Sequence, residues 1–517
     1  MQQHERPAGR PFALTRPHRR HGLGPGPRPR PRLALATAAA AALTGTLLTA
    51  TAGTATAADA THTPQADFNH DGIGDVAFSA VGGYVSGKKD AGQLVVLYGT
   101  KSGVTSAKRS VISQNTAGSP GTAEAGDVFG VDSAYADFNG DGYDDLAVSA
   151  PMEDVGSDKD GGTVAVLWGS AQGITGKGVT IADAAPTKHD RWGRKLAAGD
   201  FDGDGKADLA VGTTSNVIYV LKGGISPTGT AVKGRTSVKA PVDTSGEGTG
   251  AVNLTAGDVN GDRRTDLVVD GFETETGRYW NANYLLLGTS TGLSASGARQ
   301  LKAGPITGIG DINGDGFGDI VSGMYWNKAD GGVEFPGAAD GGKVWITYGA
   351  ADGIGSTTGI TQNTGNVPGS SEKNDYFGYE LDLGDVNGDG KQDLVIGVAG
   401  ENVGSVTDAG QLVVLYGSDS GINTASGAQS FTQSTAGVPG SDEKGDMLGV
   451  DVKLDDVNGD GRADLLAGSF ENAGDGSVLY LPSTGTKITA TGSRAIGPGA
   501  TGVSTTGYPN FGANFGD

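Results

Sequence analysis

The chain has 517 residues, 92 of them glycine and none of them cysteine. With no Gly-X-Y period the glycine does not make a collagen, and without thiols disulfide staples and iron–sulfur chemistry are excluded. Residues 59–517 hold 30 basic and 58 acidic residues, a formal charge of −28 that repels nucleic acid and anionic lipid and attracts cations.

The first 58 residues differ from the rest. Eight arginines (Arg6, Arg10, Arg16, Arg19, Arg20, Arg28, Arg30, Arg32) against the single acid Glu5 lead into an alanine-rich apolar run, Leu33–Leu48. Small residues follow, with cleavage-like sites at Ala55–Ala57 and Ala58–Ala60. This is the layout of an export signal cut near residues 57–60, and the apolar run is too short and too weakly hydrophobic for a membrane span. After Arg19–Arg20 the residues His21-Gly22-Leu23 do not complete a twin-arginine motif, which leaves the export route open. Residues 59–517 are expected to form one secreted or cell-surface-associated domain, and no later segment reads as a membrane span.

A nine-residue pattern, Asp-x-Asn/Asp-x-Asp-Gly-x-x-Asp, then recurs along the chain. Its acceptors are Asp67, Asn69, Asp71 and Asp75; Asp137, Asn139, Asp141 and Asp145; Asp200, Asp202, Asp204 and Asp208; Asp258, Asn260, Asp262 and Asp266. Three further copies use Asp311, Asn313, Asp315 and Asp319; Asp385, Asn387, Asp389 and Asp393; Asp456, Asn458, Asp460 and Asp464. Calcium takes six to eight hard oxygens at about 2.3–2.6 Å, and short acceptors at positions 1, 3, 5 and 9 of a tight turn supply them. Glycine at position 6 lets the chain reverse with positive φ. Asp and Asn also make ordinary turns, but seven copies at one place in a repeat point to up to seven Ca²⁺ ions. Two copies depart from the pattern. The third has Asp202 in place of Asn, giving four carboxylates and an expectation of stronger binding, and the fourth has Arg263 in place of the glycine, giving an expectation of weaker binding.

The same neighbours surround each loop. Eight residues upstream stands a bulky residue before glycine: Phe129-Gly130, Trp192-Gly193, Phe377-Gly378, Leu448-Gly449. Downstream come an apolar strand (Leu146-Ala147-Val148, Leu394-Val395-Ile396), a Gly/Asp-rich loop, and further strands such as Gln411–Tyr416 and Gln429–Gln433. Four antiparallel strands per unit of about 65 residues, with no helical period, predict an all-β, seven-bladed β-propeller. The last residues, Phe511-Gly512 to Phe515-Gly516, repeat the bulky-Gly element without a loop of their own. They are predicted to pair with the strand after Asp75 and close the ring.

The Phe-Gly element, the acidic loop and strands like Asp145-Leu-Ala-Val-Ser-Ala-Pro151 resemble FG-GAP repeats, as in the N-terminal propeller of integrin α-subunits and in many bacterial exported proteins. The resemblance covers residues 59–517. It implies calcium in the hairpins of one face, called lower here, and ligand binding on the upper face. This sequence differs in having no stalk domains or transmembrane helix and in carrying seven loops where integrin propellers carry fewer. A receptor-subunit role is therefore not expected.

Other motifs read as structural. His62, His70 and His189 have no zinc spacing and are expected to be solvated surface residues. Gly288-Thr-Ser290-Thr-Gly292 has the form of a nucleophile elbow but aligns with turns such as Gly417–Gly421. Lys444-Gly445-Asp446 aligns with Lys373-Asn374-Asp375. Tyr279-Trp280 and Tyr325-Trp326 have no counterpart in other blades, so they are the candidates for stacking on a sugar or gripping a protein, unless they pack between blades. The expected function is an extracellular binding, adhesion or scaffold module, a monomer with a protein or glycan ligand. The alternative is a hydrolase of the lipase or phosphodiesterase kind, as in FG-GAP-containing phospholipases.

Overall fold

A computed structural model describes residues 65–183, 185–227, 234–245, 249–274, 280–330 and 333–516. The expected export signal, His62 and Tyr279 lie outside the described residues.

Seven four-stranded antiparallel sheets follow one another, each with its strands in next-neighbour order. Blade 2 shows the plan: Ser133–Ala136, Asp145–Ala150, Thr163–Leu167 and Gly178–Ile181. Blades 3 to 7 begin with Lys195–Gly199, Asn253–Gly257, Ile306–Gly310, Phe377–Gly384 and Val452–Asp455. Blade 1 draws on both ends of the chain. Its first strand is Phe511–Phe515, pairing with Val76–Ala80 so that Ala80 faces Phe511 and Phe78 faces Phe515. The ring closes as its sequence predicts. First strands of successive blades pack side by side, and Phe511–Phe515 packs on blade 7, so the sheets stand radially about an axis.

Second strands such as Asp145–Ala150, Asp319–Met324 and Asp393–Val398 are buried along their whole length. Each has a neighbouring blade on both faces, so nothing enforces a polar face and the period of two disappears. Rim strands such as Ser294–Gln300 keep partly exposed residues throughout.

The core is divided into seven apolar clusters along the seams between adjacent blades, with an eighth small one under a loop of blade 1. The second residue of every acidic loop belongs to one of the seams: Phe68, Phe138, Phe201, Val259, Ile312, Val386 and Val457, each 0% exposed. Burying such a side chain is worth about 1.5–3 kcal/mol, and it anchors each loop at the edge of a seam. The bulky-Gly elements clip blades together from the other face. The backbone N–H of Phe129 donates to Ala91 O at 3.0 Å, Leu448 to Ala409 O at 2.9 Å and Phe511 to Asp475 O at 3.2 Å. A Cβ at Gly92 would lie 2.3 Å from the Phe129 backbone, so only glycine admits the clip there. No helix among the described residues is long and apolar enough to cross a membrane.

Candidate metal centres

In blades 2 to 7 the acidic loop joins the first and second strands, and in blade 1 it leads into the second strand, Val76–Ala80; each loop folds round its own aspartates. The first carboxylate gathers the N–H groups of positions 4 to 6: Asp137 accepts from Gly140 at 2.7 Å, Asp141 at 3.1 Å and Gly142 at 2.9 Å. Asp200, Asp258, Asp311, Asp385 and Asp456 accept in the same way, while the Asp67 carboxylate takes the N–H groups of Asp71 and Gly72 only. The fifth-position carboxylates, Asp71, Asp141, Asp204, Asp262, Asp315, Asp389 and Asp460, each accept from the N–H two residues on, at 3.0–3.1 Å. Position 6 is left-handed throughout, from Gly72 at φ +78° to Gly142 at +90°, and Arg263 holds it at +67°.

The ninth-position aspartates are all buried, at most 1% exposed, and the first-position Asp200, Asp258, Asp311 and Asp456 are buried as well. In six loops one carboxylate oxygen accepts the N–H of position 2, as at Asp75 from Phe68 at 3.0 Å. The other oxygen takes the N–H of the residue starting the turn after the third strand: Gly99, Gly169, Gly223, Gly288, Gly349 or Gly417, and Ser483 in blade 7. Burial pushes Asp75, Asp145 and Asp393 up to about 8, and Asp208, Asp266, Asp319 and Asp464 up to about 7. Backbone donors pull the other way in each, and the first- and fifth-position carboxylates of the same loop add to the rise in most. Each turn thus carries four acceptor side chains, and burial penalises the negative charge of its ninth-position carboxylate.

Such a cradle suits a hard cation. The Asn69 side-chain oxygen is buried and has no hydrogen-bond partner, while its amide nitrogen donates to Asp75 Oδ2 at 3.4 Å. An unmatched buried acceptor costs about 1–3 kcal/mol, and a cation coordinated by the loop would remove that cost. Among the described residues the one group of three carboxylates with oxygens within 4.8 Å of each other is Asp200, Asp202 and Asp208. Asn260, Asn313 and Asn387 place their side-chain oxygens on the N–H of position 5 at 2.8–2.9 Å, each keeping a second lone pair. Asn139 and Asn458 turn their amide nitrogens to the ninth carboxylate.

The upper face carries the aromatic candidates. Trp280 precedes the third strand of blade 4, Asn281–Leu287, and Tyr325 and Trp326 follow the second strand of blade 5. They belong to one half-buried cluster. Trp326 stacks on Phe335 (ring centroids 5.9 Å apart, planes at 14°), Trp280 meets Phe335 edge-on at 5.1 Å, and Tyr325 contacts Tyr379 at 5.2 Å and Tyr376 at 6.0 Å. Phe335, Tyr376 and Tyr379 were not singled out from sequence. Phe335 sits beside a small hairpin, Ala329–Asp330 with Val333–Glu334, inside the connection between second and third strands of blade 5. That connection is longer than its counterparts, which is the signal that marks it. Tyr325 and Tyr379 also line a cavity of about 300 Å³ at the mouth of the central axis, with Lys195, Asn253, Glu380 and Asn514.

His189 corrects the expectation of a solvated residue. Its side chain is fully buried, stacked on Trp192 at 6.0 Å and tilted against Tyr219 at 5.3 Å, with Asp183 3.5 Å away. His70 lies at position 4 of the first loop with φ +55°, where the other six loops have glycine. Residues 288–292 form a turn closed by hydrogen bonds between Thr289 and Gly292. Three equivalent contacts join loops of the upper face: the Gln114 amide donates to Glu153 at 2.6 Å, Gln362 to Glu401 at 2.8 Å, and Gln433 to Glu471.

The family described as FG-GAP repeat matches residues 129–167, 192–221 and 377–415. Each match runs from a bulky-Gly clip through an acidic loop to the end of a third strand, in blades 2, 3 and 6. The chain is an integrin-like FG-GAP propeller. The Rattus norvegicus phosphatidylinositol-glycan-specific phospholipase D is 34% identical to this propeller over 28% of the chain and 17% of its own length. The Xenopus laevis integrin alpha-5 is 28% identical over 40% of the chain and 20% of its own length. The FG-GAP propeller therefore spans only about a fifth, or less, of these relatives. A solved structure, "Structure of Dos1 propeller", aligns with 78% of the chain and 82% of itself at 11% identity and a TM-score of 0.38.

Proposed function

We propose that this propeller is an exported, calcium-loaded binding module that presents its upper face to an extracellular protein or glycan and acts as a monomer. The observation that carries the ligand reading is the half-buried cluster of Trp280, Tyr325, Trp326, Phe335, Tyr376 and Tyr379, in which blade 5 breaks the repeat beside a cavity lined by both apolar and polar residues. Aromatic rings offer a large contact area at little entropic cost, and neighbouring amide and charged groups orient a polar guest.

In this reading the lower face is structural. The first-, third-, fifth- and ninth-position side chains of the loops would hold calcium, and the ion would neutralise carboxylates that burial otherwise penalises. Phe68 and its six counterparts transmit the order of each loop into the seam beside it. Residues 1–58 would direct export and be removed near residues 57–60.

Binding to a panel of cell-surface glycans and proteins, compared between the parent and Trp326→Ala, tests the proposal. It expects a ligand whose binding falls at least tenfold in the variant while calcium content and thermal unfolding stay put. Equal binding by both proteins would remove the cluster from the reading. The similarity to a protein named as a phospholipase D supports a second reading, a hydrolase, which an esterase and phosphodiesterase screen of the same protein tests.

A further inference from the structure

Blade 3 departs from the repeat at two positions that touch. In its acidic loop, position 3 is Asp202, where the other loops have Asn69, Asn139, Asn260, Asn313, Asn387 and Asn458. At the end of its third strand, just before the glycine that caps the ninth carboxylate, stands Lys222. The equivalent residues are Tyr98, Trp168, Tyr348 and Tyr416 in blades 1, 2, 5 and 6, and Leu287 and Pro482 in blades 4 and 7. A neutral amide has become an acid, and an uncharged side chain has become a base.

The two substituted residues form an ion pair, the Lys222 ammonium donating to Asp202 Oδ2. Asp202 is nearly buried, its side chain 7% exposed, and that of Lys222 is 29% exposed. Asp202 is also one of the three carboxylates whose oxygens converge within 4.8 Å. The ammonium therefore reaches the acidic grouping itself, from a different hairpin of the blade. Other basic residues near loops do something else. Lys206 pairs with Asp204 at 3.3 Å and Arg264 with Asp262 at 2.8 Å, each from position 7 of its own loop and onto the partly exposed position 5.

An ammonium is a compact point charge with three donors. Against a converging carboxylate it supplies the positive charge that a metal ion would supply, and it repels a divalent cation brought to the same acceptors. The extra acid of the third loop, which by charge alone favours tighter metal binding, is thus spoken for.

We propose that Lys222 is the resident cation of the third acidic loop, closing it without a metal at calcium concentrations that fill its counterparts. The proposal rests on the calcium reading of those other loops. Blade 3 is accordingly the segment of the ring whose lower hairpin keeps its shape when calcium is withdrawn.

The test counts ions. The parent, Lys222→Tyr (the residue blades 1, 5 and 6 carry) and Lys222→Arg are equilibrated with calcium at one fixed free concentration, and bound calcium is measured per chain. Lys222→Tyr is expected to bind one more ion than the parent, and Lys222→Arg the same number as the parent. Bound calcium in the parent with no gain in Lys222→Tyr overturns the proposal while leaving the calcium reading intact. No bound calcium in any of the three sinks the calcium reading and this proposal with it. Hydrogen exchange in chelator gives a second readout that needs no variant: the Gly203 and Gly205 amides are expected to stay protected while Gly140, Gly142, Gly388 and Gly390 lose protection. Equal loss in all three loops also overturns the proposal.

Discussion

The ring of Phe511 lies edge-on against that of Phe78, centroids 4.8 Å apart, joining the last strand of the chain to the first one it reaches after its first acidic loop. Phe515 meets the same ring at 5.8 Å. This packing and the strand pairing beside it hold blade 1 shut.

Phe511→Ala is expected to cost about 3–5 kcal/mol, the range for deleting a large buried aromatic, since Phe511 is 0% exposed. Removing residues 505–517 is expected to cost more, because it also leaves Val76–Ala80 as an unpaired edge. Urea unfolding of both variants checks this. A truncated chain with the parent's midpoint would show that the C-terminal strand does not close the ring.

The acidic loops and this closure were legible from sequence for the same reason. Each loop completes its geometry within nine residues, so the residue types are set locally, and the unpaired Phe511-Gly512 element is visible as a repeat fragment out of place. What stayed hidden depends on contacts between segments. His189 stacks on the nearby Trp192 but is closed over by Tyr219 from a later strand, a contact that its own stretch of sequence does not show. Phe335, Tyr376 and Tyr379 form a cluster with Tyr325, Trp326 and Trp280 only when blades 4, 5 and 6 are set side by side. The pairing of Asp202 with Lys222 likewise appears only once the third strand returns beside the loop.

Arg263 at φ +67° is strained where its counterparts are glycines. A left-handed residue with a Cβ costs about 1–2 kcal/mol, partly offset in the Gly variant by greater freedom of the unfolded chain. Arg263→Gly is therefore expected to stabilise the calcium-loaded protein by up to about 1 kcal/mol. In the parent, the Asp258–Asp266 loop is expected to be the first metal-filled loop to empty at limiting calcium. Crystallography across a calcium series checks the order, and a fourth loop among the last to empty contradicts it.

Chelation is expected to lower the melting temperature by tens of degrees at low ionic strength. Extracellular calcium modules have dissociation constants of about 10⁻⁴–10⁻³ M, and at tenfold excess each filled site adds roughly 1.4 kcal/mol. Six such sites add roughly 8 kcal/mol, comparable with the about 5–15 kcal/mol that separates folded from unfolded domains. Sodium chloride is expected to restore only part of the loss, since screening weakens repulsion among acids without filling the cradles. Scanning calorimetry with chelator, with and without salt, decides; an unchanged transition would mean that the loops are turns and nothing more.

Glu153 offers a pH test away from the lower face. Burial pushes its carboxyl from the ordinary 4.5 up to about 7, opposed by the Gln114 amide and reinforced by Asp127. The folded protein therefore holds this proton more tightly than the unfolded chain does. Its contribution to stability is fully present below pH 4.5 and is lost as pH rises to about 7, after which it is level. Glu153→Gln keeps an acceptor for Gln114 but never charges, so parent and variant are expected to match near pH 4.5 and diverge above it, the variant becoming the more stable. Full linkage is about 1.4 kcal/mol per pH unit, and screening at a partly exposed group reduces the gain at pH 8 to the order of 1 kcal/mol. Urea midpoints of both proteins at pH 4.5 and 8, in saturating calcium so that the acidic loops stay ionised throughout, measure the difference. A variant equally stabilised at both pH values would show that shape rather than charge governs the Gln114–Glu153 contact, and a variant less stable at pH 8 would show that the ionised carboxylate strengthens it.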